Sequence, residues 1–86
     1  MNKVLIKLLL PEFDTEFDIL IPINEVVWKI KKLLVKSVSD LEGISLNIND
    51  NYILMNKTNS RIYNNNEIII DTDIRNSTEL LLITNK

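Results

Sequence analysis

The sequence predicts an α+β fold in which one amphipathic helix lies across one face of a mixed, five-stranded sheet. Three observations point to it. Residues 23–44, INEVVWKIKKLLVKSVSDLEGI, form the only stretch with a sustained helical period. Segments rich in Val, Ile and Leu lie on both sides of that stretch. The single glycine, Gly43, stands where the helical period runs out, as a left-handed C-terminal cap requires. One helix cannot bury its apolar stripe alone, so the flanking segments must supply a sheet to receive it. The 86 residues allow one small domain, residues 1–86.

The helix is expected to open at Asn24, an N-cap residue type, with Glu25 favouring the positive end of the dipole. Val26, Val27, Ile30, Leu33, Leu34, Val38 and Leu41 then fall within an arc of about 140°. Ile44 is placed to make the apolar contact that accompanies the Gly43 cap. Before the helix, KVLIKLLL (3–10) reads as a buried strand ended by Pro11. EFDTE (12–16) is a polar turn, and FDILIPI (17–23) alternates with Phe17, Ile19 and Ile21 on one face. The two strands make an antiparallel hairpin. After the helix, Leu46 and Ile48 anchor a polar connection. YILMN (52–56) is a third strand, Lys57–Ser60 a turn, and Arg61–Tyr63 a short fourth strand in which Ile62 and Tyr63 compete for the inward position. EIIIDTDI (67–74) fits a short 3-10 turn or an irregular strand. ELLLIT (79–84) closes the sheet after a turn at 75–78. The first and last strands are the most apolar, which suits two central, parallel neighbours. The order ββαβββ is that of a β-grasp.

Composition excludes several function classes. Without cysteine there is no disulfide, thiolate metal site or iron–sulfur ligation, and without histidine the commonest acid–base group and metal ligand are missing. Net charge of −2 argues against general nucleic-acid binding. No run of about 18 apolar residues is present, and residues 4–10 lack the features of a signal peptide, so the expected location is the cytoplasm.

Laid out this way, the chain resembles ubiquitin over almost its full length: the hairpin of KVLIKLL and FDILIP, the helix ending in EGI (42–44), and IIIDTDIRNSTELLL (68–82) fall in the same order and near the same spacing. It is more specifically similar to the small ubiquitin-like proteins of the YukD/EsaB family, which are encoded with type VII (WXG100, ESX-like) secretion systems of Gram-positive bacteria. The residues that carry this likeness are Tyr52-x-Leu54, the turn into Arg61-Ile62-Tyr63, and Ile74-Arg75-Asn76-Ser77-Thr78-Glu79-Leu80-x-Leu82. The resemblance implies a non-catalytic adaptor without cofactor. Its protein partners would be secretion-system components, with membrane contact only through a partner. Ubiquitin and the sulfur carriers act through a terminal diglycine. This chain ends Ile83-Thr84-Asn85-Lys86 with no glycine after Gly43, so a modifier or sulfur-carrier role is not expected.

Candidate chemistry is thin. Asp71 and Asp73, with Glu67 nearby, could form a carboxylate cluster, but the favoured reading is that the two aspartates cap a turn before Ile74. Ser37, Ser39 and Ser45 have no histidine to activate them. No catalytic or metal site is expected. On the helix, Lys29, Lys32 and Lys36, with Glu25, occupy the arc opposite the apolar stripe and read as a solvated face. Trp28 lies about 150° from the centre of that stripe, with Val35 beside it at i+7. The pair is a secondary contact patch, or Trp28 staples to Ile23 across the N-cap.

The strongest functional signal is the sheet. Alternation turns Val4, Ile6, Leu8, Phe17, Ile19, Ile21, Tyr52, Leu54, Leu80 and Leu82 toward the helix. That leaves Leu5, Leu9, Leu20, Ile53, Met55, Leu81 and Ile83 on the far face, relieved by Lys3, Lys7, Asp18 and Glu79. A wet sheet face is mostly polar, so this one is expected to form a single apolar patch that binds a protein partner or a second copy of the chain.

Overall fold

The computed structural model describes residues 2–43, 46–47 and 51–84. Ile44, Ser45 and Ile48 lie outside the described residues, and so do the expectations attached to them. Strand β1 (Lys3–Leu10) and strand β2 (Thr15–Pro22) form the hairpin. Helix α1 spans Val27–Glu42, β3 Tyr52–Asn56 and β4 Glu79–Thr84. Short 3-10 turns occupy Pro11–Phe13 and Ile69–Asp71. The sheet order is β2-β1-β4-β3, with β1 and β4 parallel and the outer pairs antiparallel.

Among the described residues the sheet has four strands, not five. Residues 61–63 make a single bridge, Met55 to Ile62, instead of a strand. The reason is local: the tight turn from Asn56 to Arg61 closes with Asn56 N–H donating to Arg61 O at 2.8 Å. Tyr63 N–H then donates to Leu54 O at 3.0 Å, and the chain leaves the sheet edge. Tyr63 takes the inward position and is buried, while Ile62 is 56% exposed.

Every residue expected to face the helix does so. Val4, Ile6, Leu8, Ile19, Ile21, Tyr52, Leu54, Leu80 and Leu82 are buried in one core cluster with Phe17 packed against it. From α1 the cluster receives Val27, Ile30, Leu34, Val35 and Val38, and from the β3–β4 connection Tyr63, Ile69 and Ile74.

The helix differs from expectation at its start. Asn24 does not cap it. The N-cap is Val26, which has no side-chain cap and an extended backbone (φ −80, ψ 149). Residues 23–26 are held in tertiary hydrogen bonds that a helix beginning at Asn24 would break. Ile23 N–H donates to Asn2 O (3.0 Å), and the carbonyls of Ile23 and Glu25 accept from Ile70 (2.7 Å) and Ile69 (3.0 Å). The first helical amides are satisfied by backbone from the same connection: Val27 N–H to Glu67 O (2.8 Å) and Trp28 N–H to Asn65 O (3.2 Å). With the cap at Val26, Ile23 and Trp28 no longer hold staple positions.

The buried arc of the helix is also rotated by about 60° from the predicted one. Val35, expected outside, is only 2% exposed; Leu33, expected inside, is exposed, and Val26 is half-buried, while Leu41, also expected inside, is exposed in the last helical turn although it falls within the rotated arc. The connection around Asn65 lies along the Trp28–Lys31 flank, where Lys31 Nζ donates to Asn65 Oδ1 at 2.7 Å. That flank includes Val35, which is therefore covered, whereas the Leu33 flank is not.

The helix ends as expected. Gly43 adopts φ 64, ψ 14, and its N–H donates to Ser39 O at 3.1 Å. A Cβ added here would meet nothing within 4 Å, so the cost of Gly43→Ala is purely one of backbone conformation. It is expected at about 1 kcal/mol, read as a lower urea midpoint with unchanged slope. An alanine variant as stable as the parent would contradict this account of the cap.

Candidate interaction surface

The register of the strands determines what the far face of the sheet presents. Leu9 pairs with Leu81 across the parallel ladder, Leu81 with Met55 across the antiparallel one, and Met55 with Ile62 through the isolated bridge. Directly paired residues project to the same side. Leu9, Leu81, Met55 and Ile62 therefore form one apolar row across β1, β4, β3 and the edge. At a strand spacing of about 4.8 Å the row is about 14 Å long. Ile83 and Ile53 pair directly and lie beside it. Leu9, Ile53, Met55, Leu81 and Ile83 are each half-buried.

Leu5 and Leu20, 45% and 57% exposed, pair with each other but not with this row. Between the two groups runs a charged stripe in which Lys7 is opposite Asp18 on one side and Glu79 on the other. Glu79 continues the stripe to Lys57 at 3.7 Å. The single expected patch is thus two: a row with its flanking pair at one end of the sheet, and Leu5–Leu20 at the other. The division follows from strand pairing, which sequence alternation alone does not reveal. Ile62 belongs to the larger patch and was left undecided by the sequence. The turn that sends Tyr63 inward is what turns Ile62 outward.

Asp73 and Glu67 make contacts within the fold. Asp73 accepts from Tyr63 Oη (2.5 Å) and Asn59 Nδ2 (2.9 Å), and Arg61 lies 3.5 Å away. The Tyr63 hydrogen bond, above all, holds the Asp73 carboxyl below its ordinary range. Burial, reinforced by that same bond, pushes the Tyr63 hydroxyl up to about 12. Glu67 accepts from Arg61 (2.6 Å) and from Asn64 N–H (2.7 Å). The turn before Ile74 is closed by neither aspartate but by Thr72, whose hydroxyl donates to Ile69 O (2.6 Å) and accepts from Ile74 N–H (3.1 Å). Asp73 and Glu67 thus cross-link residues of the β3–β4 connection to one another.

On the helix, Trp28 is exposed and Val35 is not, so the expected Trp28–Val35 patch does not form. The Lys29 and Lys32 ammonium groups sit 5.5 and 5.3 Å from the Trp28 ring centre, a cation–π arrangement within the helix. Lys29 also pairs with Glu25 at 3.5 Å. No helix among the described residues is long and apolar enough to cross a membrane.

No known sequence-family model and no curated protein sequence matches the chain. Solved structures do match. A component of the MycP5-free ESX-5 inner membrane complex superposes on 99% of this chain with a TM-score of 0.78 at 14% identity. The chain spans 21% of that polypeptide's length. The ubiquitin-like domain of Plasmodium falciparum Dsk2 matches 96% of this chain and 99% of its own, with TM-score 0.74 and 12% identity. The fold is ubiquitin-like. One chain of a toluene 4-monooxygenase complex with 4-bromobenzoate also superposes, with TM-score 0.79 over 98% of this chain and 100% of that one, at 2% identity. At such identities the likeness is one of fold, and this ubiquitin-like fold leaves its outer sheet face uncovered by the helix.

Proposed function

We propose that the protein is a non-catalytic, ubiquitin-like adaptor that binds another protein through the outer face of its sheet, in the cytoplasm, as part of a type VII secretion apparatus. The observation that carries the binding role is the apolar row Leu9–Leu81–Met55–Ile62 with Ile53 and Ile83 beside it. Such side chains on a sheet face that carries no second layer among the described residues are best accounted for by a partner that covers them. The secretion role draws on the sequence resemblance to the YukD/EsaB family. The shared fold with part of an ESX-5 inner membrane complex is in keeping with it.

The test is a titration of the purified chain against the cytosolic domains of type VII membrane components. Leu9→Lys, Met55→Lys and Leu81→Lys together are expected to weaken binding at least about tenfold, since buried apolar anchors dominate such interfaces. Circular dichroism should show the variant folded, because these side chains lie outside the core. Unchanged affinity in the folded variant would refute the proposed face. Light scattering on the free chain separates this reading from a homodimer that uses the same surface.

A further inference from the structure

The apolar row ends, on the hairpin side, at an acidic corner. Residues 11–18, PEFDTEFD, contain four carboxylates and no cation. Glu16 is directly opposite Leu9 and projects with it to the outer face. Asp14 closes the 3-10 turn in a left-handed conformation, φ 50. Leu9, Leu10, Pro11, Asp14, Glu16 and Leu81 line a hollow of about 360 Å³. Thr15 lines it too, and its buried hydroxyl has no hydrogen-bond partner among the described residues. Among those residues, Lys7 lies 3.8 Å from Glu16, a long and solvent-exposed contact worth little.

We infer that this corner receives a lysine or arginine side chain from a basic, amphipathic segment of the partner protein. The inference rests on the adaptor reading above and names the chemistry of what docks there. Its physical basis is that a partner covering Leu9 and Leu81 also covers Glu16 and Asp14. Desolvating Asp14, and Glu16 with only its long contact to Lys7, opposes binding, so a complementary partner brings a cation to that position. The aliphatic stem lies along Leu9, Pro11 and Leu81, and the cationic head reaches Asp14 and Glu16.

The test uses three synthetic amphipathic peptides with identical leucine spacing whose polar residues are arginine, glutamine or glutamate. Binding is followed by amide chemical shifts at low and high salt. The arginine peptide is expected to bind about three- to tenfold more tightly than the glutamine peptide, from two exposed ion pairs. Shifts should centre on Leu9, Asp14, Glu16 and Leu81, and the preference should shrink with salt. The double variant Asp14→Asn, Glu16→Gln should lose the preference while retaining the apolar contribution. Four results overturn the inference: equal binding of the arginine and glutamine peptides, a preference that survives in the double variant, no binding of any peptide, or self-association of the free chain through this corner. If the triple lysine variant abolishes binding to the secretion component while the double variant does not alter it, the docking face stands and the basic partner does not.

Discussion

Leu8→Ala is expected to lower the free energy of unfolding by about 3 kcal/mol. Leu8 is fully buried at the middle of the sheet, opposite Phe17 on β2 and Leu80 on β4. Truncation removes apolar transfer energy and leaves a cavity between two ladders that cannot close without breaking register. A domain of this length has a total stability of about 4–13 kcal/mol, so the loss is a large share of it. The melting temperature should fall by about 12–24 °C. Leu5→Ala is the matched control. It lies on the same strand, three residues earlier, but on the open face and 45% exposed, and should cost well under about 1 kcal/mol. Equal losses at the two positions would contradict the assignment of faces.

Tyr63→Phe should cost about 1–2 kcal/mol near neutral pH and change how stability depends on pH. The hydroxyl donates to Asp73 and accepts from Asn56 Nδ2 at 3.2 Å. Its removal leaves the buried Asn56 amide without that acceptor. Because the Asp73 pKa is depressed in the folded state, its carboxylate stabilises the fold above the ordinary value of about 3.9. That contribution is lost as pH falls through the folded-state pKa. The phenylalanine variant should show a shallower acid-induced loss, since the first cause of the depression is gone. At the other extreme the Tyr63 hydroxyl rises from 10.0 to about 12 in the fold. Its contribution is complete below pH 10.0 and is lost as pH rises toward about 12. The parent should therefore lose stability in that alkaline window relative to the variant. Parallel stability curves at both extremes, measured by urea denaturation, would rule out the Tyr63–Asp73 linkage.

Much of the fold is legible in the residues because its signals are local. Strand alternation needs only a period of two, so the inward and outward sets were readable before any pairing was known. Gly43 marked the helix end because few other residues adopt a left-handed backbone at so small a cost. The two-patch division of the outer face was not legible. It depends on which residue sits opposite which, and the parallel β1–β4 register is set by residues some 70 positions apart. Asn24 is an attractive cap in isolation, yet the carbonyls of Asn65 and Glu67 satisfy the helix amides instead. Tertiary hydrogen bonds outweighed a local preference worth only about 1 kcal/mol.

By itself, then, the sequence determined the one helix, the hairpin, the two central strands and the face to which each strand residue belongs. These follow from backbone geometry repeated every two or every 3.6 residues. Tertiary structure alone decided where the helix begins, which of its flanks is covered, that residues 61–63 bridge instead of forming a strand, and that Ile62 completes the apolar row. All four trace to the path of the β3–β4 connection. That path is set by the tight turn at residues 56–61 and by hydrogen bonds between residues distant in the chain, and no period of two or 3.6 residues encodes either.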